Sequence, residues 1–331
     1  MFFLYLMSLS VGCNIGPPPP PTPGPFPLEG VRQMTSDYAF YKDLLWAPNG
    51  TYIAATRCPV MKYQPVCYEH EKTILIDPQK DTIIPINFET ISPNHTIGYP
   101  RVWSPDGMRL ILNVGKRNSA EDIGANESLY QYNYYSYAID ERIFTEIEII
   151  WRVIAFSQDG SKLLITQGID EETLALGWHV TETSEFIEEL SYPLSNNFLG
   201  PYTFSPDNQI LLQSDSSITS SCNEVQAYTM GSHEPFEPFL SLACYPAWSQ
   251  DGSKLAYTSK ASTGDLPNRL IISNKDGSDP VSLFPQTTPH ELAYPTWSPD
   301  GRYIAFTFGA VSGANAIYIV DVPEPLQPSS E

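Results

Sequence analysis

One short motif recurs six times along the chain, and its period constrains the fold more than any other feature. An aromatic residue followed by a turn sequence of the Ser-Pro-Asp-Gly type appears every 44–57 residues. The six copies are Trp46–Gly50, Trp103–Gly107, Phe156–Gly160, Phe204–Asn208, Trp248–Gly252 and Trp297–Gly301. A repeat of about 50 residues is typical of propellers and solenoids, so it overrides the two domains that the length of 331 residues would suggest.

Each copy of the motif encodes a β-turn between two strands. Proline presets φ, aspartate bonds the local backbone, and glycine adopts a positive φ. The fourth copy has Asn208 in place of glycine, and asparagine also tolerates that conformation. We therefore interpret the turn residues as structural and not as a ring of catalytic carboxylates. They are Asp106, Gly107, Asp159, Gly160, Asp207, Asp251, Gly252, Asp300 and Gly301.

The segments between the turns alternate apolar and polar residues, which indicates β-strands. An example directly after a turn is Tyr303–Thr307. Two further strands fit into each period, such as Arg269–Ser273 and Pro280–Phe284 in the fifth unit and Thr73–Asp77 and Ile83–Asn87 in the first. Four strands per period predict an all-β fold, a six-bladed β-propeller of four-stranded antiparallel blades, over residues 30–323. The sixth unit lacks one strand. We expect the segment Val31–Thr35 to supply it as the outer strand of the last blade.

The repeated pattern W-S-P-D-G-x-x-I/L-A-F/Y resembles the TolB-like, WD-type propeller repeats of bacterial envelope proteins. The resemblance covers about residues 30–322. It implies an extracytoplasmic propeller. TolB itself carries an additional N-terminal α/β domain, which we do not expect in this chain.

The N-terminus has the composition of an export signal. Residues 1–12 are an apolar run too short to span a bilayer as a helix, and we assign them as a signal peptide. Ser10–Gly12 before Cys13 resemble the lipobox of bacterial lipoproteins, which implies lipidation of Cys13 and anchoring to a membrane in the cell envelope or periplasm. A plain secretory signal or an N-terminal core strand are the alternatives. Residues 13–29 form a proline-rich linker, and residues 324–331 a C-terminal tail.

Four further cysteines agree with export, because an even number is expected of a protein that forms disulfides. Four cysteines allow three pairings. We favour Cys58 with Cys67 and Cys222 with Cys244, since each pair is close in sequence.

The charge balance excludes one class of partner. The net charge is −20, whereas phosphate recognition needs a basic surface, so we expect no nucleic acid. The sequence contains no phosphate-binding glycine loop with a lysine and no Gly-x-Ser-x-Gly elbow of a serine hydrolase. We expect no cofactor. We also expect a monomer. Three histidines are expected in loops of one face, one between second and third strands and two between blades. Some propeller lyases that this repeat resembles bind a divalent metal with histidines on such a face, so these three remain candidate metal ligands, with exposed loop histidines as the alternative. They are His70, His95 and His290.

The connections between second and third strands vary most in length, at 58–71, 114–129 and 167–173. The segment Lys116–Glu127 is polar and long. Recognition usually resides in loops on a rigid scaffold. The leading hypothesis is therefore a non-enzymatic scaffold that binds a protein or glycan through this face. The alternative is a metal-dependent polysaccharide lyase or hydrolase that acts at the propeller mouth.

Overall fold

The computed structural model describes the greater part of the chain as sheets. The described residues are 30–61, 64–65, 71–118, 130–149, 152–170, 173–193, 201–214, 223–232, 234, 237–260, 269–284, 290–309 and 313–328. They form six antiparallel sheets, arranged as the blades of a β-propeller. The predicted fold class is confirmed. Two short 3-10 turns, Phe88–Thr90 and Glu324–Leu326, accompany the strands.

The blades follow one another along the chain. Blade 1 contains β2 (Ala39–Trp46), β3 (Ile53–Met61), β5 (Lys72–Asp77) and β6 (Thr82–Pro85), with the short β4 (Gln64–Pro65) beside β3. Blade 2 contains β7 (His95–Trp103), β8 (Arg109–Arg117), β9 (Tyr130–Ala138) and β10 (Ile143–Ile147). Blade 3 contains β11 (Val153–Phe156), β12 (Lys162–Gly168), β13 (Thr173–Val180) and β14 (Phe186–Pro193).

The second half repeats this order. Blade 4 contains β15 (Tyr202–Phe204), β16 (Ile210–Ser214), β17 (Glu224–Thr229) and β18 (Glu237–Ser241). Blade 5 contains β19 (Ala243–Trp248), β20 (Lys254–Ser259), β21 (Arg269–Asn274) and β22 (Val281–Ser282). Blade 6 contains β23 (Glu291–Trp297), β24 (Tyr303–Gly309) and β25 (Asn315–Asp321), and its fourth strand is β1 (Val31–Gln33).

The first strand of each blade lies innermost and lines the central channel. We call the end where these strands finish, at the six repeated turns, the turn face. The opposite end, where the innermost strands begin, is the loop face. Because the strands alternate in direction, the connections from second to third strands also lie on the loop face.

The two ends of the chain meet in one blade, as the missing sixth-unit strand predicted. β1 pairs antiparallel with β25, with Arg32 opposite Ile319. Two further backbone bonds extend the pairing, from Met34 N to Ile317 O at 2.8 Å and from Asp321 N to Gly30 O at 3.1 Å. Blade 6 is thereby completed by an N-terminal strand.

The repeated turns show why serine, aspartate and glycine recur. In the second copy, Ser104 Oγ donates to Asp106 Oδ1 at 2.5 Å and accepts the N–H of Arg109 at 2.9 Å. Asp106 Oδ1 also accepts a backbone N–H two residues later. Position 107 has a φ of +69°, and Asn208 has +58°. The aspartates are therefore occupied within their own turns, as the structural interpretation requires.

The aromatic residue before each turn packs between neighbouring blades. Trp103 Nε1 donates to the backbone oxygen of Leu45 in blade 1 at 3.0 Å. Trp297 Nε1 donates in the same way to Ala247 O in blade 5 at 3.2 Å. Apolar side chains from the two blades surround each of these residues. The repeat thus places one large aromatic side chain at each interface between blades, because each sheet buries its face against the neighbouring sheet.

Several bounds differ from the predicted ones. The outer strand expected over Pro280–Phe284 is reduced to Val281–Ser282, and the one expected over Ile83–Asn87 ends at Pro85. Both lie at the outer edge of a blade, where pairing on one side only leaves the ends unpaired. None of the described residues forms a helix of the length and hydrophobicity that crossing a membrane requires.

Candidate functional site: the central channel

All six blades contribute to the central channel, which makes it the candidate site. Its middle section is a cavity of about 210 Å³ between the innermost strands. Leucine, isoleucine and proline side chains line part of its wall. Its polar lining residues include Asp43, Arg101, Arg152, Tyr202, Tyr245 and Tyr294.

Three channel residues adopt left-handed backbone conformations. Asp43, Tyr245 and Tyr294 occupy matching positions, three residues before the tryptophan that ends the strand, with φ of 55°, 50° and 53°. In each strand the ladder register shifts there, which marks a β-bulge. A bulky residue such as tyrosine in this region costs about 1–3 kcal/mol, and such strain clusters at functional sites.

Two arginines form the basic wall of the channel, on the side of blades 2, 3 and 4. The guanidinium of Arg152 lies over the ring of Tyr202 at 5.0 Å, and that of Arg101 lies over Tyr99 at 5.6 Å. Burial lowers the pKa of Arg152, and the positive charge of Arg101 lowers it further. Arg101 Nε is buried and has no hydrogen-bond partner in the described part of the chain.

Acidic groups and tyrosines from blades 1, 5 and 6 form the opposite wall. The rings of Tyr245 and Tyr294 lie 4.5 Å apart between centroids. Burial raises the pKa of Tyr294 well above its usual value, and the charge of Asp43 raises it further. Nearer the loop face, burial raises the pKa of Glu291 to about 7, while Lys260 acts in the opposite direction.

A buried ion pair lies beside the channel in blade 1. Lys42 Nζ is 2.8 Å from Glu71 Oε1, and the carboxylate is almost fully buried. Lys42 also lies over the ring of Tyr99 at 5.2 Å. Within the described residues Lys42 is thus paired with Glu71, and the charged side chains that line the cavity itself are Arg101, Arg152 and Asp43. The channel can therefore bind a small polar group by ionic contacts and hydrogen bonds.

The predicted histidines are distributed differently from expectation. His95 was expected in an exposed loop, and this was wrong: it is the first residue of β7, only 6% exposed. Its Nδ1 is 2.8 Å from Ser92 Oγ and its Nε2 is 3.3 Å from the Tyr135 hydroxyl, so both ring nitrogens have partners. Burial is also the main cause that lowers its pKa. His290 is exposed, packed edge-on against Phe308.

His70 lies outside the described residues. Across the ranges that the structure describes, no three His, Cys, Asp or Glu side chains are grouped to hold a metal ion. The metal site at His70, His95 and His290 therefore stays a prediction.

The cysteines are described in part. Cys244 is disulfide-bonded and fully buried in β19. Cys58 is buried in β3, with its Sγ 3.7 Å from Glu71 Oε1. Cys67, Cys222 and the lipidation candidate Cys13 lie outside the described residues, so the pairings and the lipid anchor stay predictions. The same holds for most of the Lys116–Glu127 loop.

Sequence reasoning missed the channel residues. A partial signal was present, since Tyr99, Tyr245 and Tyr294 each precede a proline and each lie three or four residues before a tryptophan. The recurrence of Tyr-Pro at that spacing marks the bulged part of the innermost strand. Arg101 and Arg152 gave no such signal, because they come together only when blades 2 and 3 stand side by side.

Comparison with known proteins supports the fold. No known family model matches the chain, and no curated protein matches it. Several solved structures do match the chain in fold. "TolB from Acinetobacter baumannii" has 17% identity and a TM-score of 0.52 over 80% of this chain, which spans 59% of the length of that protein.

Two other solved structures match over most of their own length. The "putative TolB from Agrobacterium tumefaciens" has 16% identity and a TM-score of 0.53, over 88% of this chain and 94% of that one. "Oligogalacturonate lyase" from Vibrio parahaemolyticus has 12% identity and a TM-score of 0.52, over 90% and 94%. Identities this low bear on the fold alone. The chain therefore has the six-bladed β-propeller fold of TolB-like proteins.

Proposed function

We propose that this protein is a non-enzymatic binding scaffold of the cell envelope, which holds a partner at the loop face and in the mouth of the central channel. The observation that carries the proposal is the construction of the channel. The chain maintains two strained tyrosines and two neighbouring arginines there, at a cost in stability that packing alone would not require. Such costs are typical of residues retained to bind something.

Three features support an extracytoplasmic location. The apolar run at 1–12 and Cys13 resemble a lipoprotein signal, and the proline-rich segment after it suits a tether. The disulfide at Cys244 fits an oxidising compartment. In this proposal lipid on Cys13 anchors the propeller, and the partner is a protein or a glycan.

Cross-linking on whole cells, followed by identification of the captured partner, tests the binding function. One variant replaces Lys116–Glu127 with a Gly-Ser sequence of equal length. A matched control replaces Lys275–Asp279, an exposed turn on the opposite face. The partner is expected to be lost in the first variant and retained in the control. Equal capture by both variants would refute the loop face as the binding surface.

The anchor is tested separately with Cys13→Ala, which should move the protein from the membrane fraction to the soluble fraction and abolish labelling by a radioactive fatty acid. Unchanged fractionation would remove the lipid anchor and leave the binding proposal standing.

The enzymatic alternative is a metal-dependent lyase or hydrolase, as the fold of the Vibrio oligogalacturonate lyase suggests. It requires His95 to release Ser92 and Tyr135 before it could coordinate a metal. Metal analysis of the purified protein distinguishes the two functions. A stoichiometric metal that is lost in His95→Gln and His290→Gln variants would favour the enzyme over the scaffold.

A further inference from the structure

A groove opens on the turn face between blades 6 and 1, bounded by the turns that contain Gly50 and Asp300. Its volume is about 800 Å³, against about 400 Å³ for the corresponding cavity between blades 1 and 2. Arg32 in β1 bridges the two blades, since its Nη2 donates to Pro78 O at 2.6 Å and its Nη1 lies 3.1 Å from Asp81 Oδ1. The walls of the groove are therefore held in place by the fold itself.

The groove presents aromatic side chains to whatever enters it. Trp46 and Tyr303 both line it, together with Pro78 and Pro299. Trp46 is half-buried, whereas the motif tryptophans of blades 2, 5 and 6 are only 5–9% exposed. Packing between blades 6 and 1 thus leaves part of this indole uncovered, where the equivalent side chains are enclosed.

The groove also presents hydrogen-bond donors. Arg302 lines it, and its guanidinium lies over the ring of Tyr303 at 5.7 Å. Within the described part of the chain this exposed guanidinium forms no hydrogen bond and no ion pair. A guanidinium carries five N–H donors and no acceptor. The groove therefore suits a ligand that offers apolar surface and carbonyl oxygens.

The N-terminal segment of the chain begins at this groove. Gly30 is itself a lining residue, and its oxygen accepts the N–H of Asp321 at 3.1 Å. Phe26 is four residues earlier and so lies at most about 14 Å from Gly30, at about 3.5 Å per residue. The segment before Gly30 is therefore tethered within reach of the aromatic walls. A tether of this kind gives an effective concentration in the millimolar range, which favours the chain's own segment over a free peptide.

The composition of that segment matches the groove. Eight of the eleven residues at 17–27 are proline. Such a sequence favours the polyproline II helix, whose carbonyl groups point outward without internal hydrogen bonds. Aromatic-lined grooves bind helices of this type, because the ligand is already ordered and loses little entropy on binding. Phe26 adds one large apolar side chain to the match.

We propose that the proline-rich segment, residues 17–27, docks in the groove between blades 6 and 1, against Trp46 and Tyr303, with Arg302 donating to its carbonyl groups. The docking itself does not depend on the proposed binding function. One consequence does rest on it: with lipid on Cys13, a segment docked on the turn face directs the loop face away from the membrane.

The test measures the fluorine-19 line width of 4-fluorophenylalanine placed at Phe26, in the full chain carrying Cys13→Ala to remove the acylation site. A docked side chain moves with the propeller and gives a broad line, within about twofold of the line from the same probe at Phe306, which is fully buried. Tyr303→Ser should lower the docked fraction at least about fivefold and narrow the line. Tyr52→Ser is the matched control, because Tyr52 is also half-buried six positions after its motif tryptophan but lines the smaller cavity. It should leave the line broad.

A second variant leaves every described residue unchanged. Replacing residues 17–25 with a Gly-Ser sequence of equal length removes the polyproline II helix and keeps the probe at Phe26. The line should narrow as it does in Tyr303→Ser.

Three results would overturn the inference: a narrow line in the parent chain, equal line widths in Tyr303→Ser and Tyr52→Ser, or an unchanged broad line after the Gly-Ser replacement. Should Tyr303→Ser fail to fold, the Gly-Ser replacement decides alone. Partner capture on whole cells is a separate measurement. A docked segment without a captured partner would leave this inference standing and remove the scaffold.

Discussion

The joining of the chain ends in blade 6 yields the most direct stability prediction, through the side chain of Met34. This residue directly follows β1 and is 8% exposed. It packs in a cluster between blades 6 and 1 that includes Tyr41, Ile317 and Ile319. Its backbone N–H donates to Ile317 O, so the side chain is buried only while the N-terminal segment stays docked.

The substitution Met34→Ala removes this side chain and leaves the backbone bonds intact. The substitution gives up the free energy gained by burying three heavy atoms away from water. This amounts to about 2.4 kcal/mol, at about 0.8 kcal/mol for each atom with its hydrogens. The cavity left behind adds to this, and buried Met→Ala changes cost about 2–5 kcal/mol in total. We therefore expect the free energy of unfolding to fall by about 3 kcal/mol, with the thermal midpoint roughly 6 °C lower.

Urea unfolding followed by tryptophan fluorescence measures the change. Ile143→Ala is the matched control, since Ile143 is an apolar residue on an outermost strand but is 57% exposed. Its cost should stay within about 0.5 kcal/mol. Met34→Leu should restore most of the loss, because volume-conserving changes are tolerated. If Met34→Ala proves as harmless as Ile143→Ala, the N-terminal segment does not close the propeller as described.

Three other predictions concern single side chains. Trp103→Phe should destabilise the protein by about 1–3 kcal/mol more than Trp46→Phe in urea unfolding, since it leaves the part-buried Leu45 carbonyl without its donor, whereas Trp46 Nε1 has no partner in the described residues. Asn208→Ala should lower the free energy of unfolding by about 1–2 kcal/mol in the same assay, because φ at this position is +58° and alanine is strained there. Asn208→Gly should lower it by almost nothing, because glycine adopts a positive φ without strain. Burial raises the pKa of Glu291 from 4.5 to about 7, so its contribution to stability is fully present below pH 4.5 and is lost as the pH rises to 7. Glu291→Gln should abolish that decline in unfolding measured across the same pH range, and an unchanged decline would show that another group causes it.

The fold could be predicted from the sequence because its determinants are local and repeated. The turn residues must satisfy the same backbone geometry in each blade, so Ser104, Asp106 and their counterparts recur at readable spacing. The closing strand followed from counting strands in the sixth unit. A single copy of the motif would have predicted only a hairpin. The repetition predicted the propeller.

The channel could not be predicted in the same way, because its residues differ from blade to blade. Asp43 and Tyr294 share a backbone position but not a chemistry, and Arg101 and Arg152 are 51 positions apart. Their proximity depends on the rotation between blades. His95 was misplaced for a related reason: apolar alternation marks the middle of a strand well, but β7 begins earlier than the pattern indicated, which carries the imidazole into the core.

The pairing of β1 with β25 also orders events in time. Gln33, the third residue of β1, lies opposite Tyr318. Its pairing partner is therefore synthesised about 285 residues later in the chain. At a synthesis rate of about 5–20 residues per second, that interval lasts roughly a quarter of a minute to one minute. During vectorial production the five earlier blades can stack one by one, but the ring stays an open arc until its final strand emerges. Closure is therefore a late event that must follow the synthesis of β25, and the ring keeps an open sheet edge throughout that interval.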